Sequence, residues 1–89
     1  MIRRELHVTN RLGLHARATA KLVQLLSGYR CQATLEARGR EVNAKSIMGV
    51  MLLAAGQGTQ VKLRAEGEDE QAAVDAVQAL FARGFDEDS

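Results

Sequence analysis

The sequence predicts a single α/β (α+β) domain over residues 1–89, an open-faced β-sandwich. In it a four-stranded antiparallel sheet is covered on one face by three helices, in the order βαββαβα. Three observations carry this expectation. Apolar residues recur at helical spacing in two long stretches and one short one. They alternate with polar residues in four others. Glycines and polar turn residues fall between these stretches.

The elements follow in order. Ile2, Leu6 and Val8 lie on one side of a loose alternation, with Glu5 and His7 on the other and Arg4 out of step, which reads as a strand over residues 2–8. Asn10 to Gly13 forms a loop. Over residues 16–26, Ala16, Ala20, Val23 and Leu26 share a helical stripe with Leu22 beside it, and Gly28 is a natural stop. Cys31, Ala33, Leu35 and Ala37 alternate with polar residues. Arg38-Gly39-Arg40 turns the chain, and Glu41-Val42-Asn43 returns as the second half of a hairpin. Ser46 is placed to cap a short helix over residues 47–53. Val61, Leu63 and Ala65 make the clearest alternating strand. Ala73, Val74, Val77, Leu80 and Phe81 make the clearest helical stripe, with Glu68, Asp69 and Glu70 at its start and Gly84 at its stop. The acidic stretch from Phe85 to Ser89 is expected to fray.

Composition narrows the function. A chain this short buries only roughly 60% of its unfolded surface, so most apolar residues must be inside. The 46% hydrophobic fraction is enough for one core, built from aliphatic residues because aromatics are 3%. Twelve basic and 11 acidic residues leave a net charge of +1, without the basic excess of a nucleic-acid binder. One cysteine, Cys31, cannot form an internal disulfide and is expected as inert core. The N-terminus lacks a signal-peptide pattern, and the longest apolar run, residues 49–56, is too short to span a bilayer. A soluble, cytoplasmic, monomeric protein without membrane insertion is expected. Cys31, His7 and His15 have no metal-ligand spacing, and Gly56-Gln57-Gly58 leads into a strand, unlike a nucleotide-binding loop. No metal or other cofactor is expected.

The chemistry concentrates at Gly13-Leu14-His15-Ala16-Arg17. His15 falls where the first helix begins, and a helix start offers free amides and a positive dipole end to an anion. Arg17 in the first turn is misplaced for helix stability but well placed to donate charge-assisted hydrogen bonds to phosphate oxygens. A histidine before a helix also commonly serves as a cap, and an arginine there is often simply solvated. Short motifs of this kind match by chance. His7, on the strand face with Glu5, reads as a surface histidine. Patterning leaves Met48 and Met51 open between core and interface, while Val50 and Leu53 read as core.

Two longer stretches sharpen the reading. Asn10-Arg11-Leu12-Gly13-Leu14-His15-Ala16-Arg17 followed by Ala20-Lys21-Leu22-Val23 resembles the phosphohistidine signature of the HPr family. These are the histidine phosphocarriers of the bacterial phosphoenolpyruvate-dependent sugar phosphotransferase system. Asn43 to Met51 resembles the family's second signature, around its regulatory serine. Order, spacing and length match as well, and the resemblance covers nearly the whole chain.

The resemblance implies that His15 is phosphorylated by phospho-enzyme I and passes the group to enzyme IIA domains for sugar uptake, with Arg17 as the phosphate's partner. It implies that Ser46 is a target of an HPr kinase/phosphorylase. It also implies a docking surface on the first two helices: Ala20, Gln24, Ile47, Met48 and Met51. The protein would be a carrier and a substrate of its partners rather than an enzyme. The family's usual proline after the arginine is replaced by Ala18, which removes no chemical group. Two alternatives stand beside this: a regulatory phosphorelay protein uncoupled from sugar transport, and a ferredoxin-like module binding metal or RNA. The missing Cys-x-x-Cys pair, basic excess and interleaved aromatics weigh against the last.

Overall fold

The computed structural model describes residues 1–87. Four strands, β1 (Ile2–His7), β2 (Gln32–Ala37), β3 (Arg40–Asn43) and β4 (Gln60–Glu66), are interspersed with three helices, α1 (Ala16–Ser27), α2 (Ile47–Leu52) and α3 (Glu70–Ala82), with β2 leading directly into β3. The order is the βαββαβα expected. A 3₁₀ turn, Gly84–Asp86, follows α3. The strands form one sheet in the order β1-β4-β2-β3, with every neighbouring pair antiparallel. The last strand in the sequence therefore sits in the centre, between β1 and β2.

Alternation decides which face is covered. Leu6 pairs with Val61, and Leu35 pairs with Leu63 on one side and Val42 on the other. Leu6, Val61, Leu63, Ala65, Ala33, Leu35 and Ala37 are all buried on that face. The opposite face carries Glu5, His7, Lys62 and Glu66, all exposed, and among the described residues no helix covers it. α3 packs on β1 and β4, α1 packs against both α2 and α3, and α2 packs against β3. Ala73, Val74, Val77, Leu80 and Phe81 form the buried stripe of α3, as the period predicts.

The structure corrects three local expectations. The buried stripe of α1 is Ala18, Thr19, Leu22 and Leu26, while Ala16 is exposed and Ala20 and Val23 are half-buried. Thr19 tolerates burial because its hydroxyl donates to the Leu14 carbonyl at 3.1 Å. Cys31 precedes β2 and is a half-buried free thiol at the edge of the core, rather than core itself. The stretch after Gly84 is not frayed as far as Glu87. Phe85 is fully buried, with its ring centroid 4.8 Å from that of Phe81. Asp88 and Ser89, the end of the expected fray, lie outside the described residues.

Candidate functional site

The loop before α1 is set by sterics. Gly13 has φ +67°, and a Cβ there would lie 2.5 Å from the Ala55 carbonyl oxygen. Only glycine satisfies both conditions. The next residue, Leu14, is buried, and its amide donates to the same Ala55 oxygen at 2.9 Å. Asn10 is 3% exposed and donates from Nδ2 to the Gly13 carbonyl at 2.8 Å, which closes the loop. The chain thus arrives at His15 from a fixed direction.

His15 is the N-cap of α1. Its backbone is extended (φ −73°, ψ −179°), and its carbonyl accepts the Thr19 amide at 2.9 Å. Its Nδ1 accepts the Arg17 amide at 3.2 Å, the role a serine or aspartate more often fills. The amides of Ala16 and Ala18 have no hydrogen-bond partner among the described residues. Arg17 is exposed and its guanidinium makes no hydrogen bond or ion pair among them. Free amides, the positive helix end and an uncommitted guanidinium thus belong to the first turn of α1, directly after His15, and Arg17 borders the same depression as the imidazole.

The imidazole's other nitrogen, Nε2, meets the carboxylate of Glu87. The imidazole and that carboxylate border an open depression of about 600 Å³, whose rim includes Leu12, Arg17, Lys21 and Asp86. Glu87 also accepts from Asn10 Nδ2 at 3.0 Å. This hydrogen bond is the main reason its carboxyl lies below the ordinary value of 4.5; partial desolvation opposes it, and His15 and Lys21 lower it further. Sequence reasoning missed Glu87 altogether. Its signal lies in Gly84, whose positive φ of 61° starts a turn that folds the tail back.

Ser46 lies at the start of α2, where its hydroxyl accepts the Gly49 amide at 3.0 Å. On the surface nearby, Ile47, Met48 and Met51 are 45%, 78% and 45% exposed, so all three face solvent, whereas Val50 and Leu53 are core. Gln24 is exposed and Ala20 half-buried on α1, which packs against α2. Leu52 and Leu12, not singled out from sequence, are exposed too. Leu52 was legible: positions 47, 48, 51 and 52 share one side of a helix whose other side holds Val50. His7 is exposed at the end of β1, in register with Gln60 and outside this cluster.

Comparison with known proteins decides the family. The model of the PTS HPr component phosphorylation site matches residues 2–83. The phosphocarrier protein HPr of Xylella fastidiosa is 61% identical over the whole of both chains. The chain belongs to the HPr family. It is a phosphocarrier of the phosphotransferase system, a carrier of phosphoryl groups rather than a catalyst. A crystal structure of HPr-C-His from Thermoanaerobacter tengcongensis superimposes with a TM-score of 0.96 at 43% identity, covering both chains fully. An HPr dimer from the same organism matches with a TM-score of 0.79 at 45% identity, over 92% of this chain and 94% of that one. The expected architecture is thus that of solved HPr-family structures. Among the described residues, no helix is long and apolar enough to cross a membrane.

Proposed function

We propose that His15 accepts a phosphoryl group from phosphorylated enzyme I and passes it to a histidine of an enzyme IIA domain. The observation that carries this reading is the N-cap position of His15, with Nδ1 toward the helix amides and Arg17 beside it. A neutral imidazole attacks through its lone pair, and here that pair sits on Nδ1. The N–P bond forms at Nδ1 while the donor's N–P bond breaks and its electron pair returns to the donor nitrogen. The Arg17 amide, which donates to that lone pair in the resting protein, releases it as the N–P bond forms, and the phosphoryl oxygens then meet the amides of Ala16, Arg17 and Ala18 and the Arg17 guanidinium. Such help must be moderate, because a phosphoryl group held too tightly would not move on.

Partners dock, in this reading, on the apolar surface of α1 and α2: Ala20, Gln24, Ile47, Met48 and Met51, extended by Leu52. Exposed methionines adapt to several partner surfaces, as a carrier that meets both a donor and acceptors requires. Phosphorylation of Ser46 by an HPr kinase/phosphorylase would add a charge of about −1.5 to −2 at the edge of this surface and slow docking. The protein would work in the cytoplasm as a monomer. Incubation with phosphoenolpyruvate and enzyme I tests the reading. An acid-labile phosphate should map to His15 and be absent from His15→Ala; a label that survives that substitution contradicts it.

A further inference from the structure

Two arginines of the β2–β3 turn reach the carbonyl end of α2. The turn runs through Arg38 and Gly39, with φ +51° and +81°, and Ala37 pairs with Arg40 across it. Both central residues of such a turn are left-handed, a conformation that asparagine, aspartate or glycine takes with less strain than arginine. Arg38 Nη2 donates to the Leu53 carbonyl and, at 3.5 Å, to that of Ala54. Arg40 Nη1 donates to the Leu52 carbonyl at 3.4 Å. α2 has no basic residue in its own last turn, so the hairpin supplies the cations that its carbonyl end favours.

Capping uses only part of what these side chains offer. A guanidinium carries five N–H donors, and among the described residues each arginine commits a single nitrogen. Among the same residues neither makes an ion pair. Glu41, next to Arg40 on β3, is held by Arg64 at 3.1 Å, and Glu36 borders Arg38 only on the open face of the sheet. The cleft that the two arginines frame has a volume of about 300 Å³; Ala37, Leu52, Leu53 and Ala54 complete its lining, and no carboxylate is among them. Two like charges held on three consecutive carbonyls without a counter-charge make this place attractive to an anion.

The cleft is continuous with the docking surface. Leu52, 63% exposed, lines it and shares a side of α2 with Ile47, Met48 and Met51. Ala55, directly after Ala54, accepts the Leu14 amide and so supports the loop that carries His15. We propose that this cleft is a carboxylate-binding subsite of the docking surface, in which Arg38 and Arg40 receive an acidic side chain of a phosphotransfer partner while an apolar neighbour of that side chain covers Leu52. The inference rests on the reading of α1 and α2 as the partner surface. A planar guanidinium matches the two oxygens of a carboxylate. Charges at the rim of an interface steer encounter and fix register more than they add affinity. Here they would fix how a partner lies along α2, and so where its reacting group meets His15.

The test uses the full chain as the parent, Arg40→Glu and Arg40→Gln. Arg40 is chosen because it is exposed and makes one long hydrogen bond, whereas Arg38 caps two carbonyls. KM and kcat are measured for phosphorylation by enzyme I and for transfer to an enzyme IIA domain, at ionic strengths of roughly 0.01 M and 0.15 M, with thermal melting beside them. Arg40→Glu should raise KM about fivefold or more toward at least one partner at low salt, the scale of one exposed ion pair lost. The loss should fall on KM rather than kcat and shrink at the higher salt. Arg40→Gln should fall between the parent and Arg40→Glu. A purely structural arginine would shift melting and leave KM and its salt dependence alone. If both variants keep the parent's KM toward both partners at low salt, whatever their melting, the subsite is overturned and the reading of His15 stands. A parent chain that takes no label on His15 overturns that reading and this inference with it.

Discussion

The rings of Phe81 and Phe85 meet with centroids 4.8 Å apart and planes tilted by 57°, one ring from the end of α3 and the other from the turn beyond it. This contact secures the tail that reaches His15. Phe85 takes a left-handed backbone conformation, φ +58°, which is unfavourable for a bulky residue. Its buried ring offsets that strain. Phe85→Ala should therefore cost about 3 kcal/mol in urea denaturation while unfolding stays cooperative. The Nε2 contact of Glu87 should be lost with it, visible as a changed His15 ring signal.

Arg17 should matter for the phosphoryl group and not for the fold. It is exposed on the first turn of α1, where a cation opposes the helix dipole. Arg17→Ala should leave the melting temperature unchanged or slightly raised, and slow phosphoryl transfer in at least one direction. Arg17→Lys should restore only part of the rate, since lysine lacks the bidentate fork. Stopped-flow transfer kinetics beside thermal denaturation would separate the two effects.

Ser46 caps α2 at the edge of the proposed docking surface. Ser46→Ala removes the acceptor of the Gly49 amide and should cost about 1 kcal/mol. Transfer should continue at the parent rate. Ser46→Asp keeps an acceptor at the cap and should leave circular dichroism unchanged. It adds a negative charge beside exposed Ile47 and Met48, so phosphorylation by enzyme I should slow. Met48→Asp should weaken partner binding with the fold intact, because Met48 is 78% exposed.

Acid should release the tail before it unfolds the domain. The Asp86 carboxyl is held below its ordinary value of 3.8, chiefly by the hydrogen bond from Arg83, and that of Glu87 is held below 4.5, chiefly by Asn10. Both folded values are depressed. The stabilisation they contribute to tail docking is therefore fully present above the ordinary carboxylate range. It is lost as pH falls through the depressed values. Phe85 ring signals followed by NMR from neutral pH downward should stay constant to the ordinary carboxylate range and move only below it.

Much of this was legible in the sequence where residues are unambiguous. The α3 stripe reads correctly because Val74, Val77, Leu80 and Phe81 are large and apolar at helical spacing. The α1 stripe was misplaced because alanines at 16, 18 and 20 carry little information, and because Thr19 is buried through a hydroxyl bond to Leu14 that no hydropathy pattern encodes. His15 and Arg17 stand out in the sequence because a motif marks them. Glu87 does not. Its place beside His15 depends on a left-handed turn through Gly84, Phe85 and Asp86, and only the glycine announces such a turn.

The most direct test of the account is a single-turnover chase. The chain is labelled with phosphate through enzyme I, freed of phosphoenolpyruvate, and mixed with an enzyme IIA domain, and the phosphate on His15 and on the acceptor is followed together. The account predicts that label leaves His15 at the rate it appears on the acceptor, with Arg17→Ala slowed. Label that stays on His15 while the acceptor remains unmodified, or that reaches the acceptor equally well from His15→Ala, would contradict it.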